Sequence, residues 1–205
     1  MTDPSHPKVI SESVDVDAPP EVVFAILSDP RQHARIDGSG SVRELVKGPE
    51  RLSKGATFGM DMKLFGLPYK IRNTVVEYDE NRQIAWRHFG GHRWRYVLEP
   101  TATGTRVTES FDYSRYRLFP RLWVELAGFR KRNREGIAGT LVKLREAAES
   151  DAFSRSRITY VAGGALLVTG VVLFFVSAPS GEAPHEEAAL VPWLGPQGFG
   201  VSGRF

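Results

Sequence analysis

Residues 158–178 form a run of 21 positions without one charged side chain, stopped by Pro179. At about 1.5 Å per residue, a helix of that length spans roughly 30 Å, the thickness of a hydrocarbon core. Gly163, Gly164 and Gly170 would weaken such a helix in water, but lipid offers their backbone no alternative to helix. A buried helix of a water-soluble fold rarely runs this far without a charge, and a secretory signal would stand at the other end of the chain. Arg155 and Arg157 precede the run. Glu182, Glu186 and Glu187 follow it, with Arg204 as the one basic residue beyond 178. Positive charge stays on the cytoplasmic side. The expectation is a single-pass helix in the cell (inner) membrane, with residues 1–157 inside and the tail outside. Tyr160 would sit at an interface. Gly163 and Gly164 offer a close-packing face, which by itself leaves the oligomeric state open.

The rest of the chain has an ordinary composition, 41% hydrophobic and 25% charged. The absence of cysteine excludes a disulfide scaffold, thiolate metal sites and a cysteine nucleophile. The net charge of +3 is uneven. Eleven basic residues face five acidic ones between Arg115 and Arg157, whereas the segment after 178 is acidic. The resulting division is a disordered N-terminus at 1–7, a folded domain at 8–150 and a basic linker at 151–157. The span at 158–178 and a flexible Gly/Pro-rich tail at 179–205 follow. The tail ends in alternating apolar residues, but one strand cannot make a barrel.

Within 8–150 the pattern changes period several times. Residues 8–17 alternate as a strand. Residues 18–28 read as a short helix, with Asp17 as its N-cap, prolines in its first turn and Asp29-Pro30 at its end. Gly38, Gly40 and Gly48-Pro49 mark loops around a strand at 42–46. Alternating segments follow at 56–65, 69–78, 83–89, 92–99 and 105–113, joined by short turns that include Gly90-Gly91. Residues 120–149 lack proline beyond the first position. Leu122, Leu126, Phe129, Ile137, Leu141 and Leu144 recur on one helical face, with Asn133 as a polar interruption. The order is strand, short helix, about six antiparallel strands, long helix. That order suits an α+β fold in which a curved antiparallel sheet has one face covered by the long helix, enclosing an apolar cavity.

Three segments resemble a known superfamily. They are Val14-Asp-Val-Asp-Ala-Pro-Pro-Glu-Val-Val-Phe-Ala-Ile-Leu-Ser-Asp-Pro30, His92-Arg-Trp-Arg-Tyr-Val-Leu-Glu-Pro100 and Gly104-Thr-Arg-Val-Thr-Glu-Ser-Phe-Asp-Tyr113. They are similar to the START-like (SRPBCC) ligand-binding superfamily, in its polyketide cyclase/dehydrase and lipid transport branch, over about residues 8–149. The resemblance implies a helix-grip fold. It leaves function open among lipid carriers, cyclases, quinone-binding proteins and chaperone activators, which share no catalytic motif. A transmembrane helix departs from the usual free-standing domain.

The period of two sorts the strand residues by face. Trp86 and His88 share one face, as do His92, Trp94 and Tyr96, and Glu109 and Phe111. Phe58, Met60 and Met62 share another. If these faces point inward, with Phe129 and Asn133 from the long helix, they line a ligand-binding pocket. His88 and His92 flank the Gly90-Gly91 turn and should lie close together. A His base and Glu109 as acid would suit a cyclase or dehydratase. An aromatic-walled core with mutually satisfied polar groups is the other reading. Asn133 could grip a ligand oxygen, bond to the sheet or face solvent. No phosphate-binding loop, dinucleotide fingerprint or His-x-x-x-His metal spacing is present, so no cofactor and no metal are expected. The basic stretch before the span fits anionic headgroups or a solvated helix face better than nucleic acid. The expected partners are a small hydrophobic ligand (lipid, isoprenoid or polyketide-like) and the membrane. The function expected first is a membrane-tethered binding or carrier domain. The alternatives are a cyclase/dehydrase-type enzyme and a regulatory, protein-binding domain.

Overall fold

The computed structural model describes residues 8–64, 66–88, 91–116, 128–177, 190–195 and 198–203, without the side chains of residue 64 or of 157 onward. The chain divides into two compact units, Met1–Thr159 and Tyr160–Phe205. In the first, β1 (Val9–Val16) is followed by α1 (Pro20–Ser28), a 3-10 turn at Pro30–Gln32 and the single-turn α2 (His33–Ile36). Six strands then run as a meander: β2 (Val42–Lys47), β3 (Thr57–Leu64), β4 (Leu67–Asp79), β5 (Gln83–Arg87), β6 (Arg93–Pro100) and β7 (Thr105–Asp112). The sheet order is β1-β7-β6-β5-β4-β3-β2, and all pairs are antiparallel. This is the expected α+β arrangement, an antiparallel sheet of seven strands with a C-terminal helix. Register shifts interrupt the β2–β3 ladder and the β4–β5 ladder between Val75 and Glu77. Such bulges increase local twist and bend a sheet.

The long helix, α3, runs from Phe129 to Ser177. It follows Gly128, whose φ of 71° only glycine adopts without strain. The expected start at 120, with Leu122 and Leu126, lies outside the described residues. Ile137, Leu141, Leu144 and Ala148 are fully or almost fully buried. They give α3 an apolar stripe whose larger side chains are each worth ~1.5–3 kcal/mol of burial. α2 docks on the same helix. Arg35 reaches Asp151 at 3.0 and 3.1 Å, and Gly38 N donates to Thr140 Oγ1 at 3.0 Å. Lys143 Nζ donates to the Asp37 carbonyl at 2.6 Å. Gly38 has no room for a side chain, since a Cβ there would stand 2.1 Å from backbone atoms of Gly139 and Thr140.

Several expectations are corrected. Asp17 does not cap α1. The cap position is Pro19, with no side-chain bond, and the Asp17 amide instead meets Glu149 Oε1 at 3.2 Å. Asp29 ends α1 as expected, and its carboxylate also accepts from Arg31 N at 3.0 Å, capping the 3-10 turn. α2 went unforeseen, because one helical turn leaves no period in a sequence. Residues 151–157, taken as a linker, continue α3 without a break. Among the described residues no helix is long and apolar enough to cross a membrane. The backbone is helical through Ser177, but the side chains of 158–178, on which the expected span rests, lie outside the described residues, as does the 1–7 terminus. In the tail, read as flexible, β8 (Leu190–Gly195) pairs with β9 (Gly198–Gly203). The alternating apolar residues there support a strand pair, where the Gly and Pro content had suggested none.

Candidate ligand-binding cavity

A cavity of about 490 Å³ lies between the sheet and α3. The sheet supplies the wall in rows, because residues directly opposite in an antiparallel ladder point to the same face. One row follows from the pairings Trp86↔Trp94 and Trp94↔Phe111. Another follows from Ile84↔Tyr96, Tyr96↔Glu109 and Glu12↔Glu109. A third extends the ladders past Thr74↔Arg87 and Arg87↔Arg93 to Asn73, His88 and His92. The alternate residues face away, where Glu77 accepts from Arg95 at 2.6 and 2.7 Å and from Arg93.

All twelve sequence-derived candidates line this one cavity: Phe58, Met60, Met62, Trp86, His88, His92, Trp94, Tyr96, Glu109, Phe111, Phe129 and Asn133. Asn133 therefore faces the cavity rather than solvent. Further wall residues were not singled out. His33, Ile36, Asp37, Ser39, Ser41 and Val42 come from α2, the loop behind it and the start of β2, Tyr69, Ile71 and Asn73 from β4, and Tyr116 from the segment after β7. Asn73 carried a usable signal, since the alternation Tyr69, Ile71, Asn73, Val75 puts an amide on an apolar face. α2 and Tyr116 carried none.

The waist of the cavity is aromatic. His33 stacks on Trp86 with centroids 4.9 Å apart, and its Nε2 lies 3.0 Å from the Leu27 carbonyl. Phe58 meets Trp86 edge-on at 5.7 Å, and Trp94 packs on Phe111 at 4.7 Å.

Both ends are polar. At one, His92 Nε2 and His88 Nε2 are 2.6 Å apart, while His92 Nδ1 is hydrogen-bonded to the Tyr116 hydroxyl. Two facing ring nitrogens at that distance hold one proton between them, so the tautomers of the two rings are complementary. Burial pushes His88 down to about 4, and burial together with His88 pushes His92 down to about 3. Both rings are neutral at pH 7. Burial also raises the Tyr116 phenol to about 12. In the same row the Asn73 side chain is buried, and its Oδ1 has no hydrogen-bond partner.

At the other end Glu109 is 3% exposed. Burial raises its carboxyl to about 8, a Tyr96 hydrogen bond opposes the rise, and the nearby Asp37 carboxylate adds to it. Glu109 is thus mostly protonated at pH 7, and its Oε2 has no hydrogen-bond partner. Asp37 is held by its own loop, accepting from Ser39 N at 3.0 Å, Ser39 Oγ at 2.7 Å and Val42 N at 2.9 Å. Glu109 stands opposite Tyr96, four residues along β6 from His92, or roughly 13 Å at 3.3 Å per residue. The register therefore sets the expected His base and the expected Glu acid at opposite ends of the wall.

Among the described residues, no group of three His, Asp or Glu side chains converges as a metal site would require. Residues 8–149 match the family described as polyketide cyclase/dehydrase and lipid transport. The chain belongs to this family. It is 44% identical over 154 residues to the uncharacterized protein Rv0088 of Mycobacterium tuberculosis H37Rv, and equally to MT0096 of strain CDC 1551. Those alignments cover 74% of this chain and 66% of each relative. Among solved structures, NE0264 of Nitrosomonas europaea aligns at a TM-score of 0.55 and 18% identity, over 70% of this chain and 95% of that one. TTHA0849 of Thermus thermophilus aligns at 0.55 and 18%, over 70% and 99%. The AHSA1-like protein of Aeromonas hydrophila aligns at 0.53 and 18%, over 70% and 93%. At such identities these likenesses speak for the fold alone.

Proposed function

We propose that this family member is a binding or carrier domain for one small, largely apolar molecule held between the sheet and α3. The observation that carries the reading is the cavity itself. Its volume of about 490 Å³ falls within the range of small-molecule sites, and its aromatic waist with placed polar groups at either end suits such a site. Two buried polar atoms in the wall, Asn73 Oδ1 and Glu109 Oε2, lack partners. Leaving such a group unsatisfied costs ~1–3 kcal/mol, and a ligand would recover that cost. The separation of Glu109 from the histidine pair speaks against the cyclase/dehydrase alternative in which they share a reacting atom.

A membrane tether completes the proposal. The uncharged run 158–178 and the basic residues before it would keep the domain on the cytoplasmic face of the inner membrane, beside the phase in which apolar ligands dissolve.

Trp86 and Trp94 in the wall provide the test. Titrating 1-bromonaphthalene into the full-length protein should quench their fluorescence saturably, at one molecule per chain. In Ile137→Trp, which fills the cavity from the α3 side, the saturable component should vanish. Purely collisional, linear quenching in the wild type would overturn the binding reading.

A further inference from the structure

The cavity wall has a polarity pattern that restricts what it can hold. One end carries Asn73, beside the His88–His92 pair, and the other carries Glu109, beside Tyr96. Trp86, Trp94 and Phe111 lie between. The end groups are separated by four residues along the strands and by three strands across. With strands about 4.8 Å apart and side chains reaching inward over a curved sheet, the gap between end groups is roughly 10–15 Å.

Resting on the binding reading, we propose that the ligand is an uncharged, elongated molecule with an aromatic or conjugated middle. It carries a carbonyl at one end for the Glu109 carboxyl and a hydroxyl at the other for the Asn73 carboxamide. Both protein groups are more than nine-tenths buried and present an unpartnered oxygen. With one Glu109 oxygen taken by Tyr96, the protonated carboxyl can donate from the other to a ligand carbonyl. Asn73 Oδ1 can only accept, so it calls for a ligand O–H. The flat rings of the waist favour π faces over methylene chains, through stacked and edge contacts.

An anionic ligand is disfavoured at the Glu109 end. The titratable groups facing Glu109 are Tyr96 from β6, Asp37 from the loop behind α2, and Glu12 from β1; the cation of the cavity wall, Arg132 of α3, stands near Tyr69 instead. Glu12 is paired with Arg134 of α3 at 3.3 Å. A ligand carboxylate there would meet Asp37 and, once Glu109 ionises, a second negative charge.

The probe is 4-acetyl-4′-hydroxystilbene, neutral and fluorescent, with a carbonyl and a phenol at opposite ends. Its methyl ether lacks the donor, and cis-parinarate supplies an anionic acyl chain. Binding to the full-length protein in nanodiscs is read against empty nanodiscs. The methyl ether should bind about tenfold more weakly than the phenol, the equivalent of one hydrogen bond. Asn73→Leu should abolish the difference between phenol and methyl ether. Glu109→Leu should weaken both compounds about tenfold, and Glu109→Gln, which keeps a neutral donor, should recover most of that loss. Wild-type affinity for the methyl ether, which has no titratable group, should fall above about pH 8 as Glu109 ionises, with no such fall in Glu109→Gln. The comparison of phenol with ether needs no variant, so a misfolded Asn73→Leu leaves the test intact. Equal binding of phenol and ether, or tighter binding of cis-parinarate, overturns this inference while the binding reading stands. If no probe binds, this inference falls, and the 1-bromonaphthalene titration decides the binding reading separately.

Discussion

Glu109 and the histidine pair make opposite contributions to stability, and pH separates them. The folded state raises Glu109 from an ordinary 4.5 to about 8, so between those values it holds a proton that the unfolded chain has released. Stability from this group therefore falls as pH rises through that window, by up to about 1.4 kcal/mol per pH unit. Glu109→Gln should be more stable than wild type at pH 8–9, with the difference shrinking towards pH 4.5 in thermal melts followed by tryptophan fluorescence. The histidines act in the other direction. Held near 4 and 3 against an ordinary 6.5, they are neutral in the fold, and the unfolded chain takes up their protons first. Their contribution is complete above pH 6.5 and is lost as pH falls towards 3. Between 4.5 and 6.5 the two effects oppose each other. The acid limb should therefore be steeper in Glu109→Gln than in wild type, and flatter in a His88→Phe/His92→Phe variant. Both residue types were legible as sharing a face with the aromatic residues of their strands, because a period of two sorts strand residues by face, whereas which face points inward was not. Their separation was not legible, since it depends on how β6 pairs with β7 and no single strand records that.

Among the elements, the docking of the loop behind α2 on α3 depends on a backbone contact. Gly38 and Gly139 approach so closely that a Cβ on Gly38 has no space. Gly38→Ala should cost about 1–3 kcal/mol, as overpacking does, and should loosen the α2 loop that forms one wall of the cavity. Gly40 provides the contrast: it has open space around it and a φ of 67°, so Gly40→Ala should cost only the ~1–2 kcal/mol of a left-handed alanine. Chemical denaturation of each variant against wild type measures the two costs. The alternating strands and the α3 stripe were visible in sequence because each repeats its period several times. α2 is one turn long, and Tyr116 stands in irregular chain after β7, so neither left a periodic trace. The Gly38–Gly139 contact joins glycines about a hundred residues apart, and in the sequence Gly38 had marked only a loop.

For the whole molecule, the proposal joins a cavity to a tether. In fractionated cells the full-length protein should pellet with membranes, resist extraction at high salt and be released by detergent. In spheroplasts, added protease should reach the tail and spare the domain. Recovery in the soluble fraction without detergent would remove the tether and leave the cavity unaffected. On the proposed reading, the cavity is a binding site rather than a void in the core. Native mass spectrometry of the full-length protein, released from detergent in the gas phase, tests it most directly. A second species heavier than the apoprotein by the mass of one small molecule is expected in wild type and not in Ile137→Trp. A single apoprotein mass, unchanged after incubation with 4-acetyl-4′-hydroxystilbene and with cis-parinarate, would contradict it.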